Sequence, residues 1–114
     1  MPRILVIEDD AALQLFIKHV LLGFGYEVDA TGTMSGGTDL LRHRRYDLVL
    51  LDVKLPDGSG LEIADLAGEK GTKALMITGN AFTLPTGVHE RYEFLLKPVR
   101  AAEILAAVER ALTH

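Results

Sequence analysis

Apolar residues gather in four short runs along the chain: Ile4-Leu5-Val6-Ile7, Leu48-Val49-Leu50-Leu51, Ala74-Leu75-Met76-Ile77 and Phe94-Leu95-Leu96. None alternates with polar residues as a strand with one wet face would. Each therefore reads as a strand buried on both faces, as in a parallel sheet. A weaker strand, Glu27-Val28-Asp29-Ala30, follows the turn Gly23-Phe24-Gly25 and is expected at an edge. Between the runs the apolar spacing becomes helical. Leu13, Phe16, Ile17, Val20 and Leu21 mark one face of a helix over Ala11–Leu22, with Asp9 or Asp10 placed to cap it. Ile104, Leu105, Val108 and Leu112 mark a closing helix from about Ala101. Met34–His43 and Leu61–Ala67 are the expected middle helices, weakened by Gly36-Gly37 and Gly68, since a glycine inside a helix costs about 1 kcal/mol relative to alanine. Strands and helices alternate without repeats or Pro/Ser-rich linkers. The pattern predicts one α/β doubly wound domain over residues 1–114, with a five-stranded parallel sheet.

Composition narrows the function classes. Apolar residues are 48% of the chain and charged residues 25%, which supplies a core and argues against intrinsic disorder. The absence of cysteine excludes a disulfide framework, a thiolate metal site and a cysteine nucleophile, and suits a reducing compartment. A net charge of −4 argues against a broad basic surface for nucleic acid. The apolar stretch after Met1-Pro2-Arg3 is too short for a signal-peptide core, and no run reaches membrane-spanning length, so a cytoplasmic protein without a membrane partner is expected. His19, His43, His89 and His114 lack zinc-ligand spacing. Arg42-His43-Arg44-Arg45 reads as a solvated helix end whose cations suit the helix dipole. Gly58-Ser59-Gly60 reads as the turn into the next helix, not as a dinucleotide fingerprint.

The functional signal is positional. Glu8-Asp9-Asp10 follows the first apolar run, and Asp52, Thr78 and Lys97 end the later ones. In a parallel sheet all C-terminal strand ends lie on one rim, where doubly wound folds bind ligands. Carboxylates on neighbouring strands would stand roughly 5 Å apart and repel by about 3 kcal/mol per pair at an effective dielectric near 20. Such a cluster needs a cation, and all-oxygen ligands suit a small hard ion such as Mg²⁺. With a lysine and a hydroxyl added, the rim suits a phosphoryl group, and the nucleophile would be a carboxylate forming an acyl phosphate.

Four motifs occur in order: Ile4-Leu5-Val6-Ile7-Glu8-Asp9-Asp10, Leu50 through Leu61 (LLDVKLPDGSGL), Ile77-Thr78-Gly79 and Leu96-Lys97-Pro98. Together they resemble the receiver domains of two-component response regulators, over nearly the whole chain. The resemblance implies a flavodoxin-like fold with strand order 2-1-3-4-5. It implies Asp52 as phosphoacceptor, Glu8 and Asp9 with Asp52 and the backbone carbonyl of Lys54 as Mg²⁺ ligands, and Thr78 and Lys97 as phosphoryl contacts. Thr78 and Phe94 are the implied switch residues, and Lys54 and Asn80 the implied determinants of phosphoryl lifetime. Lys54 is expected to hover over the phosphoryl group or to pair with Asp57. Glu8 stands where Asp is commoner in the family, Phe94 lacks the hydroxyl of a Tyr, and Gly79 replaces the commoner Ala.

The implied partners are a histidine kinase or a histidine phosphotransfer protein upstream and a protein target downstream. The chain is expected to act only on its own Asp52 and not as a turnover enzyme. Because it ends directly after the closing helix, a stand-alone receiver signalling by contact or relay is expected, with a receiver excised from a hybrid kinase as the alternative. An aspartyl-phosphate phosphatase would want D-x-D at the nucleophile, where this chain has Lys54 two after Asp52. An FMN-binding redox protein would want a Ser/Thr-rich loop after the first strand, where this chain has three acids. Between Thr78 and Lys97, Pro85 and Gly87 interrupt helical spacing, so at most a short helix near Thr86 to Arg91 is expected within a mostly irregular connection, Asn80 to Tyr92.

Overall fold

A computed structural model of the chain describes residues 1–79, 84 and 87–113, with the backbone alone at residues 88 and 89. The elements run β1 (Arg3–Ile7), α1 (Ala11–Gly23), β2 (Glu27–Thr31), α2 (Met34–His43), β3 (Leu48–Asp52), β4 (Lys54–Leu55), β5 (Gly58–Ser59), α3 (Gly60–Glu69), β6 (Lys73–Thr78), α4 (Val88–Arg91), β7 (Glu93–Leu96) and α5 (Ala101–Thr113). The main sheet is parallel in the order β2-β1-β3-β6-β7. That is the expected order 2-1-3-4-5, because the small antiparallel hairpin β4-β5 stands apart from it.

The unbroken apolar runs hide an alternation that only the three-dimensional structure resolves. Ile4, Val6, Leu48, Leu50, Leu75 and Ile77 point to one face, where Ile17 and Leu21 of α1 and Ile104, Ala107 and Val108 of α5 meet them. Leu5, Ile7, Val49, Leu51 and Met76 point to the other, against Leu41 of α2 and Ile63, Ala64 and Ala67 of α3. Adjacent strand residues thus serve two cores, as a two-period backbone between two helical layers requires. The edge strand β2 carries Glu27 and Asp29, charges that discourage pairing with a further strand.

Each observed strand is longer than its apolar run, so Asp52 and Thr78 are themselves the last residues of β3 and β6. Asp10, not Asp9, caps α1, its side chain accepting the Leu13 N–H at 3.0 Å. Helix α3 runs past the expected Ala67 and includes Gly68. Its buried residues Ile63, Ala64 and Ala67 anchor it on the sheet and outweigh the weak propensity of one exposed glycine. The fourth helix is the single turn α4, within the short stretch expected. Asn80–Thr83, Pro85, Thr86 and His114 lie outside the described residues, and with them most of the expected irregular connection.

The two terminal glycines of α3 make opposite predictions. At Gly60 a Cβ would stand 2.1 Å from the carbonyl oxygen of Asp52, while at Gly68 nothing lies within 4 Å. Gly60→Ala should therefore destabilise by about 3 kcal/mol, whereas Gly68→Ala should stabilise by about 0.5 kcal/mol. Urea unfolding followed by circular dichroism reads both, and a neutral Gly60→Ala would contradict the close approach.

Candidate functional site

Because β1, β3, β6 and β7 are consecutive in the sheet and parallel, their C-terminal ends bring Glu8, Asp52, Thr78 and Lys97 to one rim. Glu8 continues the line of β1: its N–H donates to Thr31 O at 3.0 Å, and the Gln14 side chain donates to its carbonyl at 2.9 Å. Its side chain turns inward and is only 1% exposed, with Oε2 accepting the Asp10 N–H at 3.1 Å. Asp9 remains exposed, and since Asp10 is used as the helix cap, the Asp9 carboxylate is left to the rim.

Asp52 is buried at the end of β3 and is held from two sides. Its Oδ1 accepts the Lys54 N–H at 3.1 Å, and its Oδ2 accepts from Lys97 Nζ at 2.6 Å. The same ammonium lies 3.1 Å from Glu8 Oε1, so one lysine bridges the carboxylates of two strands. Thr78 is buried beside them, and its carbonyl accepts the Lys97 N–H at 2.9 Å, which fixes the lysine at the rim. Phe94, in β7, lies three residues before Lys97, half-buried and packed against the core facing α2 and α3.

The expected pairing of Lys54 with Asp57 is not what the chain does. Asp57 accepts the N–H groups of Met34 (2.8 Å) and Ser35 (3.1 Å) at the start of α2, and those bonds hold its carboxyl below the usual carboxylate range. The two-strand hairpin carrying Lys54 is thereby tied to a helix N-terminus, where a carboxylate is favoured. With Gly60 N–H donating to Val53 O at 2.6 Å, the backbone that follows Asp52 is held at both ends. Gln14 lies outside the four motifs, and Asp57 lies within the Leu50–Leu61 motif with nothing in the sequence to show its contact with α2. Gly60 could have been found, because a glycine opening a helix beside a strand end marks a close backbone approach.

Gathering these acids shifts their ionisation. Burial raises the Glu8 pKa to about 7; the Asp10 N–H works against this, and the negative charge of Asp52 and the contact with Asp9 add to it. Burial lowers the affinity of Lys97 for its proton, but its contacts with Asp52 and Glu8 outweigh that and raise its pKa. Lys97 is therefore a firm cation. Glu8 sits near half-ionisation at neutral pH. The sign for folding follows: the Glu8 proton stabilises the fold fully below pH 4.5, and that contribution is lost as the pH rises to about 7.

The donor set fits a hard divalent cation. Glu8, Asp9 and Asp52 each offer a carboxylate oxygen, and these atoms lie within 4.8 Å of one another. Buried Glu8 Oε1 has no hydrogen-bond partner of good geometry beyond its ion pair with Lys97, a deficit that a cation would relieve. The carbonyl of Lys54 follows two residues after Asp52, and Asn80, the other expected lifetime residue, lies outside the described residues. Among the described residues no helix is long and apolar enough to cross a membrane.

The chain is similar to known proteins over nearly its whole length. The family model described as "Response regulator receiver domain" matches residues 4–109. The DNA-binding response regulator MtrA of Mycolicibacterium paratuberculosis is 32% identical over an alignment of 117 positions that covers 96% of this chain and 51% of MtrA, so the chain spans about half the length of that relative. A CheY-like response regulator receiver domain protein from Methanospirillum hungatei superposes with a TM-score of 0.91 at 31% identity, over 99% of this chain and 94% of that one. The response regulator TrrA of Thermotoga maritima, solved in complex with Mg²⁺ and BeF, gives a TM-score of 0.87 at 28% identity, over 98% of this chain and 100% of that one.

A cation entering the cluster must displace the Glu8 proton, so Mg²⁺ affinity should climb with pH. With a Glu8 pKa of about 7, calorimetric titration should show about a tenfold gain between pH 6 and pH 8, levelling above, with proton release that is largest at the acid end. Glu8→Gln should weaken binding and flatten the profile. An affinity independent of pH in the wild type would remove Glu8 from the ligand set.

Proposed function

The chain belongs to the response regulator receiver domain family over residues 4–109, and on that premise we propose that it is a phosphoacceptor signalling module which takes a phosphoryl group from a phosphohistidine onto Asp52. The observation that carries the proposal is the Lys97 ammonium held at 2.6 Å from Asp52 and 3.1 Å from Glu8, a fixed positive charge beside a buried carboxylate at the rim of the sheet. The donor is a histidine kinase or a histidine phosphotransfer protein, and output passes to a downstream protein. Residues 1–114 act in this reading as one receiver unit.

In the reaction an Asp52 carboxylate oxygen attacks phosphorus, the P–N bond to the donor imidazole breaks, and its electron pair leaves with the imidazole. An acyl phosphate remains on Asp52. Glu8, Asp9, Asp52 and the Lys54 carbonyl would hold Mg²⁺, which would supply charge neutralisation for the phosphoryl oxygens. The chain does the positioning. The Lys54 N–H bond holds one carboxylate oxygen, while Lys97 gives up its contact with the other and follows the charge onto the incoming phosphoryl group. The Thr78 hydroxyl adds a donor from the adjacent strand end, and Phe94 repacks as Thr78 moves. Water later cleaves the acyl phosphate, at a rate set by side chains standing over it, of which Lys54 and Asn80 are the proposed pair. No other substrate is turned over.

Incubation with Mg²⁺ and a small phosphodonor or a phosphorylated kinase should raise the intact mass by one phosphoryl group, and Asp52→Asn should abolish the gain. Equal phosphorylation of Asp52→Asn would refute the assignment. Lys54→Ala should change the dephosphorylation rate severalfold, while an unchanged rate would place its side chain away from the path of the attacking water.

A further inference from the structure

The pole of the sheet opposite the acidic rim carries a groove of about 770 Å³ formed where the α2–β3 and α3–β6 loops meet the end of α5. Five cations line it, Arg42, Arg44, Arg45, Lys70 and Lys73, against the single acid Asp47. In sequence the cluster from Arg42 to Arg45 looks like a solvated helix end. In space it is joined by two lysines from another loop. Arg44 is paired with Asp29 at 3.0 Å, and the Asp47 carboxylate accepts the Arg3 N–H at 2.7 Å. Arg42, Arg45, Lys70 and Lys73 have no ion-pair partner among the described residues.

Neutralising helix dipoles does not account for this much charge. The C-terminal ends of α2, α3 and α5 border the groove, and at about half a negative charge each they offset only part of a lining with four more cations than anions. That excess sits on a chain whose net charge is −4. The loops presenting it are locked together by buried groups: Thr72 Oγ1 donates to Tyr46 O at 2.9 Å, and the Tyr46 hydroxyl donates to Asp29 at 2.6 Å. The cations therefore project from a fixed frame, which lowers the entropic cost of collecting them around one ligand.

We propose that this groove is a binding site for a small polyanion bearing several phosphates. Its volume is that of a small-molecule site, and three of its five cations are arginines, whose planar forks match phosphate oxygens. Of its apolar lining residues Leu41 and Tyr46 are buried, and the half-buried Ala111 and Leu112 at the end of α5 add only a small apolar patch to a mostly polar lining, little surface for a base or an acyl chain. Recognition then rests on the phosphates. A nucleic-acid duplex is not the occupant, since it requires an extended track of cations and this set is gathered into one concavity.

Amide NMR titration of the Mg²⁺-free chain with inorganic tripolyphosphate, and in parallel with ATP, tests the site. Saturable shifts are expected at residues 42–47 and 70–73, with affinities for the two probes within a few-fold of each other and falling steeply with salt. The double variant Arg45→Glu/Lys70→Glu, at two exposed positions, should lose about tenfold in affinity and keep its unfolding midpoint and its phosphorylation on Asp52. Absence of saturation at millimolar probe would overturn the proposal. So would shifts centred on Glu8 and Lys97, or binding of a polyglutamate peptide in place of tripolyphosphate.

Discussion

Three carboxylates drawn to one rim repel one another, and much of the chain is arranged to keep the Lys97 ammonium between them. With oxygens within 4.8 Å of one another, each ionised pair opposes the fold by about 3 kcal/mol at an effective dielectric near 20. Lys97 touches two of the acids at shorter range, 2.6 and 3.1 Å, so it offsets the repulsion within its reach. It cannot satisfy all three. Glu8 is left buried, with one oxygen lacking a hydrogen bond and with a raised pKa. A rim in that condition is short of positive charge, which is the physical basis for proposing a divalent cation there; with that cation bound beside Lys97, the rim could accept an anionic phosphoryl group.

The scaffold tolerates this because its stability comes from elsewhere. Two apolar cores, one on each face of the sheet, fix β1, β3 and β6 up to the residues before Glu8, Asp52 and Thr78. The polar positions begin where the cores end. Beyond Asp52 only Val53 and Leu55 of the hairpin segment join the core, and specific bonds do the rest: Lys54 N–H to the Asp52 carboxylate, Gly60 N–H to Val53 O, and Asp57 to the first turn of α2. The carboxylate of Asp52 is thus oriented by its own backbone while its charge is met by a lysine from the far side of the sheet.

Much of this was legible in the residues. Apolar runs ending in Glu8, Asp52, Thr78 and Lys97 carried both the parallel sheet and the convergence of those side chains, because a parallel sheet sends every C-terminal end the same way. The strand order came from the family resemblance, since local pattern carries no information on which strands are neighbours. Four features were hidden. The division of each run between two cores depends on helices distant in sequence. The role of Asp57 depends on a contact 22 and 23 residues away. The persistence of α3 through Gly68 depends on burial that overrides local propensity. The basic groove was hidden for the same reason, because Lys70 and Lys73 join the arginines only through the fold.

The most direct measurement is a crystal structure of the chain with Mg²⁺ and beryllofluoride, a stand-in for the phosphoryl group. The expected result is beryllium on an Asp52 oxygen, a Mg²⁺ ion ligated from Glu8, Asp9 and Asp52, and Lys97 Nζ moved from the Asp52 carboxylate to a fluoride. A structure in which Lys97 keeps its contact with Asp52, and no cation lies among the three carboxylates, would contradict the central claim.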